Sequence, residues 1–404
     1  MQVLLTKRGL YSANTPNFIE MKLIHVFSIF DTVESFFDGQ FKYLTEQGYE
    51  IVVVSSDSPK ADAFCLRNGV RFVPVNIPRS VSPMAIAKAV KSLRTLIRRE
   101  NADAVFGHTP VGALCSMMAA RMCGVKNRVY YRHGVIYTTM HGIRRRIFRA
   151  EECFVSSLAT SIINVSHSLS GLALTDKLNK AGKQQVIGHG TCGGIDARKL
   201  FNPSLIDREK LAAMKGKCGL AGADIVFGFC GRICNDKGVP ELVDAFELFC
   251  GKHTEMKAKL LIIGSFDTRD DISEEKRQRI KGSNDIVVTG YIDKVEIPYY
   301  YSMLDLFVFP SHREGFGMCV IEASAMEKPI LDSRAHGCVD AIVEHETGEY
   351  IDSSAESICK GMEMMLDANL RNRLGMNGRK RVLRWYDFSV MWPLVGELYK
   401  KILR

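Results

Sequence analysis

At 404 residues the chain is too long for one ordinary hydrophobic core and suits two domains of similar size. Its formal net charge of +9 is uneven: residues 1–200 hold 26 Lys and Arg against 14 Asp and Glu, residues 201–404 hold 28 against 31, so the first half alone invites an acidic partner. No stretch approaches the roughly 20 apolar residues of a membrane span, and twelve scattered cysteines without CxxC or zinc-type spacing argue for a reduced, cytosolic protein rather than a disulfide framework.

Residues 1–20 lack an apolar run long enough for a secretory signal and read as a loose extension, or as lying upstream of a more natural start at Met21. The first half then alternates short apolar strands with helical patterns: LIHVFSIF (23–30), EIVVVSS (50–56), RFVPVNI (71–77), AVFG (104–107), RVYYRHG (128–134), SIINVS (161–166) and QVIGHG (185–190). The glycine-rich GHGTCGGID (188–196) reads as a hinge or linker. Strands resume with DIVFGFCG (224–231), LLIIG (260–264), DIVVTG (285–290), LFVFPS (306–311) and PILDS (329–333). This alternation predicts an α/β protein with two parallel, doubly wound Rossmann-like sheets facing a cleft, and ligands at the carboxyl ends of strands. The expected division is an extension over 1–20, domains over 21–195 and 196–385, and a tail over 386–404. FSVMWPLVGELYKKILR (388–404) has an amphipathic helical pattern, interrupted near Pro393, that suits a helix packing back across the groove.

Two motifs carry chemistry. Glu314 and Glu322 end the run EGFGMCVIE, on either side of a glycine-rich turn. Gly315 and Gly317, flanking Phe316, clear side chains from the backbone, and the amides of Gly317, Met318, Cys319 and Val320 open a helix whose positive end attracts phosphate. The two carboxylates are acceptors suited to a hexose and a ribose hydroxyl. A capped surface helix with solvated glutamates has the same spacing. In FCGRICNDKG, Arg232 and Lys237 share one strand-to-helix loop and suit the two phosphates of a nucleoside diphosphate, although a solvated turn would look alike.

GRICNDKG, GYIDKVEIPYYYSMLDLFVFPS and HREGFGMCVIEASAMEKPI, in this order, resemble the donor domain of glycosyltransferase family 4, which has the GT-B fold. The likeness continues through HGCVDAIVEHETGEYID and covers nearly all of residues 200–404. FFDGQFKYLTEQGYEIVVVS, FGHTP and YYRHG resemble the acceptor domain more loosely, and the linker with LLIIGSFDTRDD is similar to the bacterial branch that builds capsule, O-antigen and glycoprotein precursors. The resemblance implies a metal-independent enzyme that retains anomeric configuration and needs no protein nucleophile or cofactor beyond a nucleotide-sugar co-substrate. That donor is expected to be UDP-linked, with an N-acetylhexosamine as the working choice. It makes Arg232 and Lys237 the diphosphate ligands, Glu322 the ribose ligand and Glu314 a sugar ligand. Tyr291 and Ile292 would form the base-binding turn. Gly39 would admit the donor phosphates, although its loop departs from the family's paired glycines. His133 would touch the sugar, where a satisfied structural histidine is the alternative; His108 is placed similarly.

The implied acceptor is a polyprenyl-diphosphate-linked glycan at the cytoplasmic face of the inner membrane. Helical patterns over 82–100, with Ile86, Val90, Leu93 and Ile97 on one stripe, and over 142–152 are basic and amphipathic and suit an anionic surface, although a sheet-covering helix shows the same stripe. Rival readings are a sugar-nucleotide epimerase of the same fold and a catalytically silent glycan-binding relative. Nucleic acid is not expected as a partner, since no helix-turn-helix, RNP or zinc-finger signature is present. No Asp-x-Asp run or metal-ligand cluster appears either.

Overall fold

The computed structural model describes residues 21–78, 82–268 and 270–404; the proposed extension over 1–20 lies outside the described residues. Seven parallel strands form the first sheet: β1 (Met21–Val26), β2 (Tyr49–Ser55), β3 (Arg71–Pro74), β4 (Ala104–His108), β5 (Asn127–Arg132), β6 (Ser161–Asn164) and β7 (Gln184–Val186), in the order β3-β2-β1-β4-β5-β6-β7. Six make the second: β8 (Ile225–Cys230), β9 (Ala258–Ile263), β10 (Ile286–Val288), β11 (Leu306–Phe309), β12 (Ile330–Ser333) and β13 (Glu349–Ile351), in the order β10-β9-β8-β11-β12-β13. Each order reverses beside its first strand, which opens a crevice at the carboxyl ends of β1 and β4 and another at those of β8 and β11. The twelve strand segments expected from sequence all form. β13 was not among them, because three residues give too little pattern to separate from a loop.

Strand alternation settles where the basic helices face. Ile24, Val26, Val52 and Val54 share a core with Val90, Leu93 and Ile97 of the helix Pro83–Glu100. That stripe therefore covers the sheet, each such side chain contributing about 1.5–3 kcal/mol on burial, and the expectation that it lies on a membrane fails for this helix. The helix Gly142–Leu158 behaves otherwise: Ile143 is 67% exposed, Ile147 57% and Phe154 47%, on one stripe among the exposed Arg144, Arg145 and Arg146.

The chain returns to the first domain at its end. The helix Ala368–Trp385 is followed by Phe388–Ile402, whose Met391, Val395 and Tyr399 are fully buried. The expected interruption at Pro393 does not occur. The helix runs through it, losing one backbone donor, because the buried face on either side holds the turns in line. Trp392 packs over Gly39, whose φ of 78° and whose missing Cβ, which would sit 2.9 Å from the indole, both call for glycine. The Gly39 amide donates to Asn68 Oδ1 at 2.8 Å. Both its amide and the direction of its missing Cβ are thus committed to the fold. Gly39→Ala is accordingly expected to lower unfolding stability by about 1–3 kcal/mol with an unchanged donor KM, read by chemical denaturation and steady-state kinetics.

Candidate functional site

A cavity of ≈ 620 Å³ opens at the carboxyl ends of β8 and β9 and is lined by Arg232, Gly231, Phe266, Thr268, Tyr291 and Ile292, among others. Three residues singled out in sequence, Arg232, Tyr291 and Ile292, thereby meet in one place. The guanidinium of Arg232 is half-exposed and forms an ion pair with Asp267, a nearly buried carboxylate. The sequence gives no sign of that partner, because it comes from the loop after the neighbouring strand β9, 35 residues along the chain.

Beside the cavity, the turn Asn235–Lys237 and the segment after β11 are laced by two consecutive ion pairs. Asp236 pairs with Arg313 and Lys237 pairs with Glu314, while the His312 amide donates to the Asp236 carbonyl at 2.9 Å. Glu314 Oε1 also accepts from Ser311 Oγ at 3.2 Å. Burial pulls the Lys237 amine down, but the charge and hydrogen bond of Glu314 outweigh it and hold the amine above its ordinary range. Glu322 lies one turn inside the helix Met318–Ala325 and accepts from Tyr301 Oη at 3.0 Å. Burial pushes its carboxyl up, against opposing pulls from Lys294 and Tyr301.

The glycine-rich turn does less with its amides than its sequence implies and more with its shape. Met318 N donates to Phe316 O at 2.8 Å and Val320 N to Gly317 O at 3.1 Å, so two of the four amides expected to face phosphate are bonded within the turn. Gly315 is pressed against the first domain, where any Cβ would collide with the carbonyl oxygen of His133. Phe316 is buried, and the Cys319 thiol is pushed up by burial.

His133 thus stands at the contact between the domains, yet its ring is turned inward. Its Nε2 lies 3.0 Å from His108 Nδ1 and its Nδ1 lies 3.2 Å from Cys192 Sγ. Burial lowers its pKa to about 3, so the ring is neutral at physiological pH. Among the described residues one group of side chains is close enough to share a metal ion, Glu344, His345 and Glu349, but His345 already pairs with Glu349 at 2.8 Å and Glu344 with Arg334 at 2.6 Å.

The family model for Glycosyltransferase Family 4 matches residues 33–190, and that for Glycosyl transferases group 1 matches residues 212–381, so together they take in the second sheet and all of the first but β1. The chain is 28% identical over 386 residues to the capsular polysaccharide biosynthesis glycosyltransferase CapM of Staphylococcus aureus, covering 95% of this chain and 98% of that one. It is 21% identical to the UDP-Gal:alpha-D-GlcNAc-diphosphoundecaprenol alpha-1,3-galactosyltransferase of Escherichia coli, over 89% of this chain and 91% of that one. The crystal structure of Anabaena HepE in complex with UDP-glucose superposes with a TM-score of 0.78 at 15% identity, covering 95% of this chain and 100% of that one. The fold is GT-B.

The Lys237–Glu314 pair makes a prediction about stability. Glu314→Gln leaves a buried ammonium without its counter-charge and is expected to cost about 3 kcal/mol. The folded-state amine titrates above its unfolded value, so the pair's contribution is complete below the ordinary lysine range and is lost as pH rises through the raised folded value. Denaturation of the two proteins at several pH values should give a constant gap through neutrality that narrows only in strong alkali.

Proposed function

The chain belongs to glycosyltransferase family 4, and on that footing we propose that it moves a sugar from a UDP-linked donor, with an N-acetylhexosamine as the working choice, to a polyprenyl-diphosphate-linked glycan during synthesis of a bacterial surface polysaccharide. The observation that carries this reading is the convergence of Arg232, Tyr291 and Ile292 on one cavity beside the Lys237–Glu314 pair. Tyr291 and Ile292 receive the base, Glu322 the ribose, Arg232 and Lys237 the diphosphate, and Glu314 and His133 the sugar. The capsular and diphosphoundecaprenol-directed names of the two relatives support the acceptor class.

The reaction in this reading keeps the anomeric configuration. The bond from the anomeric carbon to the phosphate oxygen breaks while the acceptor oxygen attaches on the same face, and the acceptor proton passes to the departing diphosphate. The protein's part is to align the two substrates and to neutralise charge building on the diphosphate, through Arg232 and Lys237. We place the lipid-facing surface on the helix Gly142–Leu158. Its exposed Ile143, Ile147 and Phe154 would enter the headgroup boundary while Arg144, Arg145 and Arg146 meet anionic lipid at about 1 kcal/mol each. No helix among the described residues is long and apolar enough to cross a membrane.

Three measurements test this. With a panel of UDP-, GDP- and dTDP-sugars and a short polyprenyl-diphosphate glycan, UDP release and one added hexosamine on the lipid are expected, and Arg232→Ala should cut turnover on the order of 10²-fold; binding of none of the three nucleotides would sink the donor-site assignment. Turnover should survive EDTA, whereas complete loss restored by magnesium or manganese would refute metal independence. In flotation, anionic vesicles should carry the protein and the triple variant Ile143→Ser, Ile147→Ser, Phe154→Ser should stay behind; equal flotation of both would move the docking surface elsewhere.

A further inference from the structure

Three histidines on three adjacent strands form a hydrogen-bonded chain. In the parallel register His25 of β1 lies opposite Phe106, and His108 of β4 lies opposite Tyr131. Each histidine is therefore two residues beyond the last, on the same face, and the series climbs toward the carboxyl ends of the strands. His25 Nδ1 lies 3.0 Å from His108 Nε2, His108 Nδ1 lies 3.0 Å from His133 Nε2, and His133 Nδ1 ends the chain at Cys192 Sγ, 3.2 Å away. Aromatic rings sheathe it: Phe106 stacks on His25 at 4.3 Å, Phe27 on His108 at 4.0 Å and Tyr131 on His133 at 4.9 Å. Among the described residues no carboxylate bonds to any of the three, and burial holds all three neutral.

Each nitrogen pair shares one proton, and a neutral imidazole carries one. The chain thus has two self-consistent arrangements, with every N–H pointing toward His25 or every N–H pointing toward Cys192. Among the described residues His25 Nε2 is buried without a partner. The first arrangement would leave an orphaned N–H there, the second only a bare lone pair, and orphaned buried donors are the rarer of the two. We propose that His25 and His108 are positioning residues that hold His133 as its Nδ1–H tautomer, ready to donate to an oxygen of the donor sugar. This rests on the reading that His133 touches the donor. In that tautomer the Cys192 sulfur receives the hydrogen and is a weak acceptor, so an oxygen replaces it at little cost. Contact of Gly315 with the His133 carbonyl keeps this ring beside the Glu314 turn.

The full-length protein labelled with ¹⁵N-histidine tests the proposal, with the His133 signals identified by their loss in His133→Ala. At neutral pH His133 should show a protonated Nδ1 and an unprotonated Nε2; an Nε2–H tautomer or an imidazolium would overturn the proposal. His108→Leu removes the donor to His133 and should lower kcat about ten- to hundredfold, as loss of a histidine's supporting partner does elsewhere, while donor KM changes little. His108→Asn keeps an N–H near the Nδ1 position and should recover most of the loss. If His133→Ala loses activity while His108→Leu and His108→Asn both match wild type, the positioning role is wrong and the donor contact stands. If His133→Ala is itself fully active, the donor contact fails and the chain has no part in transfer.

Discussion

The geometry between the two domains depends on one backbone junction. The chain passes from the first sheet to the second through Ile195 and returns through Tyr386 and Asp387, and the two crossings bond to each other: Ile195 N donates to Tyr386 O at 2.9 Å and Phe388 N to Ile195 O at 3.0 Å. Asp387 completes the junction, since its carboxylate accepts from Ala197 N at 3.2 Å and from Ser389 N at 3.1 Å, at the start of the last helix. A link and a return that ran separately would let the sheets drift. Bound together, they hold the His133–Gly134 end of β5 against the Glu314–Gly317 turn, and that contact defines where a substrate bridging the domains must lie.

Charge on the donor side is arranged around the same turn. Arg232, Lys237 and Arg313 each have a carboxylate partner, in Asp267, Glu314 and Asp236. For Lys237 burial pulls the amine down, and the charge and hydrogen bond of Glu314 outweigh it. Glu314 holds that amine in place through its Oε1, which also accepts from Ser311 Oγ. In the proposed reading a diphosphate would meet cations already paired in place, so little of its binding energy would be spent on ordering long side chains.

Sequence reading reached the sheets because apolar β-branched runs survive without tertiary information, and the structure brings Arg232, Tyr291 and Ile292 to one cavity because each follows a strand of the second sheet. Sequence reading failed where the deciding contact was distant in the chain. The stripe Val90, Leu93, Ile97 fits a membrane or a sheet equally until the helix is seen against β2, and the packing that demands glycine at position 39 shows only when Trp392 closes over it. Asp236 and Arg313, 77 residues apart, pair through the adjacency of β8 and β11, which no local pattern reports. The inward turn of His133 was likewise hidden, since it depends on His108 and Cys192 arriving from β4 and from the linker.

Cys192 joins these two themes. It belongs to the glycine-rich linker that makes the first crossing, and its carbonyl accepts from Tyr131 Oη at 2.8 Å on the strand that carries His133. The segment that fixes the distance between the domains therefore also supplies the last atom of the histidine chain. Cys192 is tied to the first sheet twice, by its carbonyl to Tyr131 and by its thiol to His133, so the histidine chain and the start of the crossing are anchored to the same body.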